Sequence, residues 1–255
     1  MGLDIVSRPS DSPYIDRVWR SRSDDVCQMT AVAAASWDLV FWERHGEVSA
    51  AVVGPETAAS PAPVPEEATF FGITFAVGTT MPHLPAGRLV NSAAELAGTT
   101  RRSFQLKGSI WRLPGYDDAE AFVRRLVREE ILVRDPLVAA VHRAGSPEAH
   151  QGASPPAYAH QTAPGASRVS ERTVQRRFLA ATGLTRGAAR QIDRARRAAV
   201  LIQAGVPARD VVHRLGYFDQ PHLARSLTRF VGRTATELSL GEGLAAGPLS
   251  LLYAT

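Results

Sequence analysis

The sequence predicts an α+β chain in which a β-rich N-terminal domain precedes an all-α domain. Two observations carry this. Apolar residues alternate through much of residues 14–115, and from residue 117 onward they recur at spacings of three and four. Charge is also unevenly divided. Residues 1–164 hold 15 Lys+Arg and 19 Asp+Glu, a net −4, whereas residues 165–238 hold 14 Arg and 5 Asp+Glu, a net +9. A basic segment beside a mildly acidic one suggests a polyanion-binding module joined to a domain of another purpose.

The chain has 255 residues, 45% hydrophobic and 21% charged, room for two domains of ordinary size. No stretch approaches the length needed to span a bilayer, and MGLDIVSRPSDSPY lacks the basic-then-apolar pattern of a secretion signal. Cys27 is the only cysteine, so no intrachain disulfide can form. The expectation is a bacterial, cytoplasmic protein with no membrane partner.

The strands come first. Trp37, Leu39 and Phe41 alternate, a turn falls at His45-Gly46, and Val48, Ala50 and Val52 alternate again, which is a hairpin pattern. Phe71, Ile73, Phe75 and Val77 form another alternating set, and SFQLKGSIWRL reads as a further strand. Short strands with Gly/Pro turns suggest a small barrel or sandwich. Residues 117–134 then switch period: Ala119, Phe122, Val123, Leu126 and Val127 share a helix face, with acids in the first turn. DPLVAAVHR follows as a short helix after Pro136. These two helices either pack on the barrel or pair across a dimer interface. The domain so defined spans residues 1–143. Residues 144–167, rich in Ala, Gly, Ser and Pro, read as a linker.

The basic domain, residues 168–240, contains a repeat. VSERTVQRRFLAATGLT, from Val169, and FDQPHLARSLTRFVGRT, from Phe218, align at an offset of 49 residues. Ser170 and Asp219 are matched N-caps. Val174 and Leu223, and Phe178 and Leu227, are matched apolar positions. Arg176 matches Arg225, and Gly183 matches Gly232 at helix ends that favour a left-handed residue. Between the copies, Ala188, Ile192, Ala195, Ala199 and Ile202 mark one face of a long helix, and Arg190, Arg194 and Arg197 mark another. VPARDVVHRLGYFD adds a short helix and a glycine turn into the Asp219 helix, which makes a helix-turn-helix. In that last helix, Leu223, Leu227 and Phe230 share one face, and His222, Arg225, Ser226 and Arg229 share a basic, hydrogen-bonding one. Residues 241–255 are a tail.

Residues 168–238 resemble the DNA-binding domain of AraC-type (AraC/XylS) transcriptional regulators. SERTVQRRFLAATGLT, RQIDRARRAAVLI and VVHRLGYFDQPHLARSLTRFVGRT carry the resemblance. In VWRSR, GPET, FFGITFAVGTTMPHLP and WRLPGYDDAEAFV, the N-terminal part resembles the cupin-like domain of uncharacterised function found in one branch of that family. The resemblance implies two helix-turn-helix units joined by a long helix, each placing a capped helix in the major groove of double-stranded DNA. Arg172, Gln175 and Arg176 are then the base-facing residues of the first helix, and Gln220, Pro221, His222 and Arg225 those of the second. Arginine can grip guanine, and glutamine adenine, with two hydrogen bonds each. Ser226, Arg229, Arg168 and Arg177 are placed for phosphates, which position without specifying. Two such helices address successive turns of one DNA face, about 34 Å apart. The sequence departs from the pattern before Ser170, where Pro155, Pro156, Pro164 and Gly165 interrupt the place of a scaffold helix, so the first unit reads as truncated.

Seven histidines are scattered without metal-ligand spacing, His83 stands alone in MPHLP, and no nucleophile elbow or phosphate loop appears. The expectation is a protein that is not an enzyme and uses no metal or cofactor. Trp37, Phe41, Phe71, Ile73, Phe75 and Trp111 either fill the barrel core or line a pocket for a small-molecule ligand. The expected function is a one-component, sequence-specific transcription regulator. Its expected partners are double-stranded DNA, a small-molecule effector, a second copy of the chain, and RNA polymerase for an activator. Two rivals stand beside it: a cupin-like ligand-binding protein or enzyme with a degenerate appendage, and a protein-interaction module.

Overall fold

The computed structural model describes residues 4–24, 28–145 and 169–241. Its N-terminal part is built on six antiparallel strands in the order β1-β2-β7-β4-β5-β9. These are β1 (Asp4–Pro9), β2 (Ile15–Ser23), β4 (Asp38–Arg44), β5 (Glu47–Val53), β7 (Ala68–Phe75) and β9 (Ala93–Glu95). β4 and β5 form the expected hairpin: His45 and Gly46 both have positive φ, 50° and 82°, as a tight turn matched to strand twist demands. The main sheet is open rather than a closed barrel, with β1 and β9 at its edges among the described residues.

SFQLKGSIWRL is a hairpin and not one strand. β10 (Ser103–Leu106) turns through Lys107 and Gly108, at φ 51° and 76°, into β11 (Ser109–Arg112). This hairpin and α1 (Ala119–Arg128) bury Phe104, Leu106, Trp111, Phe122, Val123 and Leu126 in one core with the sheet residues Trp37, Leu39, Phe41, Ile73 and Phe75. Two smaller ribbons flank it, β3 (Gln28–Ala31) with β6 (Ser60–Pro63) and β8 (Thr79–Thr80) with β12 (Val133–Arg134).

The C-terminal part is helical: α3 (Glu171–Thr182), α4 (Arg186–Gln203), α5 (Ala208–Leu215), α6 (Gln220–Val231) and α7 (Ala235–Leu240). The repeat is realised cap for cap. Ser170 accepts from the Thr173 N–H and Asp219 from the His222 N–H, and the helices so started end at Gly183 and Gly232 with φ of 70° and 74°. Thr185 and Thr234 cap the next helices in the same way.

The helix after Pro136, α2 (Pro136–Gly145), neither covers the sheet core nor stands free. It places Val138 in a core shared with Phe178 of α3 and Ile192 of α4, and the His142 ring lies 6.5 Å from that of Phe178. α2 thus packs against both the first capped helix and the long connecting helix of the C-terminal part. Ala144 and Gly145 of the expected linker close α2; the rest of it lies outside the described residues.

The same core takes in Ala31, Val32, Ala33 and Ala35 of the N-terminal part, so the two parts are docked through apolar contact. Polar bonds reinforce the junction. The Ala33 and Ala59 amides donate to the Phe230 and Arg229 carbonyls, 2.8 Å each, and satisfy groups that the end of α6 leaves without helical partners. The Arg177 guanidinium donates two bonds of 2.7 Å to Asp135, which also caps α2 through the Leu137 and Val138 amides. Burial works to raise the Asp135 pKa, but the Arg177 bond and the two amides prevail and hold it below its usual value.

Gly232 lies at the heart of this junction. A Cβ there would stand 2.7 Å from Thr30 Cγ2 and 3.0 Å from Ala59 Cβ. Gly232→Ala is expected to destabilise the chain by about 1–2 kcal/mol from the left-handed backbone alone, with the β3–β6 ribbon pushed off α6. A thermal melt and hydrogen exchange at Ala33 and Ala59 check both parts.

Next to the ribbon, the Glu56 backbone exchanges hydrogen bonds with Ala34, and its Oε2 is buried without a hydrogen-bond partner. Burial raises its pKa from 4.5 to about 7. The folded value lies above the unfolded one, so the folded state holds the extra proton and stability falls as pH rises from about 4.5 through about 7. Glu56→Gln is expected to match the wild type at pH 4 and to melt higher at pH 8. Melting curves across that range check it.

Candidate nucleic-acid interface

The helix-turn-helix formed by α5 and α6 is locked from within. Gly216, at φ 65°, ends α5 and lets the chain reverse into Tyr217 and Phe218. Tyr217 is buried, with its hydroxyl 3.2 Å from Ser226 Oγ and the Arg194 guanidinium 4.3 Å above its ring. Arg194 also donates to the Gly216 carbonyl at 3.4 Å. Burial raises the Tyr217 pKa, so its hydroxyl stays a neutral hydrogen-bonding group. One arginine of the long helix therefore braces the turn that aims α6.

α6 turns two faces to different surroundings. Leu223, Leu227 and Phe230 are buried, as expected. Gln220, Pro221, Arg225 and Arg229 are exposed, and Ala224 and Thr228 lie exposed among them. Pro221 sits in the first turn, where its missing N–H breaks no helical bond. The result is a basic, low-relief ridge whose side chains have no ion partner among the described residues.

Two members of the expected set lie elsewhere. Ser226 is only 7% exposed. It falls three residues after Leu223 and four before Phe230, so the helix turns it inward, and its hydroxyl is taken up by Tyr217. It is not placed to meet a phosphate. His222 is half-buried, its ring edge-on to Tyr217 at 5.2 Å and its Nδ1 accepting from the Phe218 amide at 3.4 Å. It fastens the turn.

On α3, Arg172, Gln175 and Arg176 are all exposed, with Leu179 beside them. Arg177, expected at a phosphate, is bound to Asp135 instead. Arg168 lies outside the described residues. Phe218 was not anticipated: it is 90% exposed at the mouth of α6. An aromatic in the turn that takes no place in the helical apolar stripe was the signal available. Such a ring can meet a thymine methyl or sugar.

The six aromatic and apolar residues of the N-terminal part mostly fill a core and do not together line a ligand-sized pocket. Trp37, Phe41, Ile73, Phe75 and Trp111 are buried and Phe71 is half-buried, stacked on Phe41 with centroids 5.7 Å apart. Trp37 stacks on Phe75 at 4.1 Å and donates to the Thr79 carbonyl. The cavity beside Trp37 holds only about 10 Å³, too little for an organic ligand. Among the described residues no cluster of three His, Cys, Asp or Glu could hold a metal ion, and no helix is long and apolar enough to cross a membrane.

Residues 165–239 match the family model described as a helix-turn-helix domain. This part of the chain is a DNA-binding domain of the kind found in transcription regulators. No curated protein and no solved structure matches the chain.

Proposed function

We propose that the protein is a sequence-specific transcription regulator of the AraC type. In this reading α6 enters a major groove with Gln220 and Arg225 at base edges, and α3 enters a neighbouring groove with Arg172, Gln175 and Arg176. Arg229 meets phosphate. The observation that carries the reading is the exposed Gln220-Pro221-Arg225-Arg229 ridge on a helix whose opposite face and turn are rigidly held. The 49-residue repeat supports a second reader of the same kind.

Regulation follows from the docking. The N-terminal part bonds the end of α6 through Ala33 and Ala59 and holds α3 through Asp135. A ligand that favours the docked or the undocked arrangement shifts the population able to bind DNA. The test is a titration of a fluorescent mixed-sequence duplex with the full chain between 50 and 200 mM salt. Binding through six or more phosphates is expected to weaken by a factor on the order of 10³. Weak binding indifferent to salt would favour the protein-interaction reading instead.

A further inference from the structure

A cleft of about 530 Å³ opens between the two docked parts, and none of its lining residues lies on α6. Its walls come from three places: Ile15, Arg17 and Phe75 of the sheet region, Ala139 and His142 of α2, and Arg196 and Arg197 of α4, with Arg134 of β12 beside them. Five arginines line it, the fifth being Arg143, against two carboxylates, Asp16 and Asp193. The volume falls within the range of small-molecule sites.

Two of the arginines, Arg17 and Arg134, keep a buried donor open. Arg17 Nε lies 3.4 Å from Asp16, but that contact lacks hydrogen-bond geometry, and Arg17 Nε is buried without a hydrogen-bond partner. Arg134 Nε, on a different strand, is likewise buried and unbonded. Two buried donors left open on separate elements of one cleft are costly unless an acceptor arrives. Of the two acids, Asp16 lies beside Arg17, and Asp193 lies 3.6 Å from His142 Nδ1 and also feels Arg196 and Arg197. Burial, then the charge of Arg17, lowers the Arg196 pKa to about 10, so the cleft disfavours its own positive charge. Pro13, Ala76 and Val77, which are exposed or half-buried, give the same cleft an apolar side.

We propose that this cleft is the binding site of a small organic carboxylate, its headgroup held by Arg17 and Arg134 and its apolar body against Pro13 and Val77. Because α4 forms one wall and α2 another, the bound anion ties the N-terminal part to the long helix that joins the two helix-turn-helix units. That makes it an effector site, an assignment that rests on the regulator reading above; the binding itself does not.

The experiment uses the full chain without DNA. Thermal melts and calorimetric titrations are run with acetate, benzoate and citrate, with benzamide as the uncharged counterpart of benzoate, and with chloride and inorganic phosphate at matched ionic strength. At least one carboxylate is expected to raise the melting midpoint saturably, and benzamide, chloride and phosphate are not. Arg17→Gln and Arg134→Gln, each confirmed folded by circular dichroism, are expected to weaken that carboxylate at least tenfold. Arg101→Gln, in the loop before β10 and outside the cleft lining, is expected to leave it unchanged. No saturable protection by any carboxylate overturns the proposal. So does protection shared equally by chloride and phosphate, or protection that survives both cleft variants. Carboxylate binding by a chain that fails to bind DNA would leave the site standing and remove only its regulatory meaning.

Discussion

Phe178→Ala is expected to lower stability by about 3–5 kcal/mol, the range for emptying a large aromatic from a packed core. Phe178 is 2% exposed and shares its core with Val138 of α2, Ala181, Leu184 and Ile192. It therefore joins three elements, and one of them belongs to the N-terminal part. For a chain of this size the melting midpoint should fall by roughly 10 °C. Two readouts separate the consequences. A melt followed by circular dichroism reports the loss of stability. Hydrogen exchange along Pro136–Gly145 reports whether α2 is released, which is expected because α2 rests on Phe178 and Arg177. A variant that loses stability while α2 stays protected would mean that α2 is held by the sheet region alone.

Arg225→Ala is expected to weaken binding to a cognate duplex by about 1–3 kcal/mol, or roughly 5- to 150-fold, and to relax preference at one base pair. Arg225 is exposed on the ridge and pairs with no acid among the described residues, so its removal leaves the fold intact. Arg229→Ala should differ in kind. Loss of a phosphate contact weakens cognate and scrambled duplexes alike and lowers the salt slope by about one. Competition titrations of both variants against both duplexes check the distinction.

Much of the C-terminal part was legible because its determinants are local. Ser170 and Asp219 cap, Gly183 and Gly232 terminate, and apolar residues at three and four lie between. The errors came where local rules overlap. Ser226 satisfies the spacing of both stripes of α6, and only the position of Tyr217, across the turn, decides that it faces inward. Lys107-Gly108 makes a two-residue hairpin turn that alternation alone read as continuous strand. What sequence reasoning could not supply is long-range placement. Nothing in DPLVAAVHR says that this helix will seat against Phe178. Nor does any spacing bring Arg17, Arg134 and Arg197 to one cleft, since they arrive on three separate elements.

The measurement that bears most directly on the central claim is selection of bound duplexes from a random DNA pool with the full chain at moderate salt. A defined motif with two half-sites centred about 10 base pairs apart is expected, one read by α3 and one by α6, the second fading when the pool is selected with Arg225→Ala. Recovery of duplexes with no shared motif would contradict the claim that this helix-turn-helix domain reads sequence.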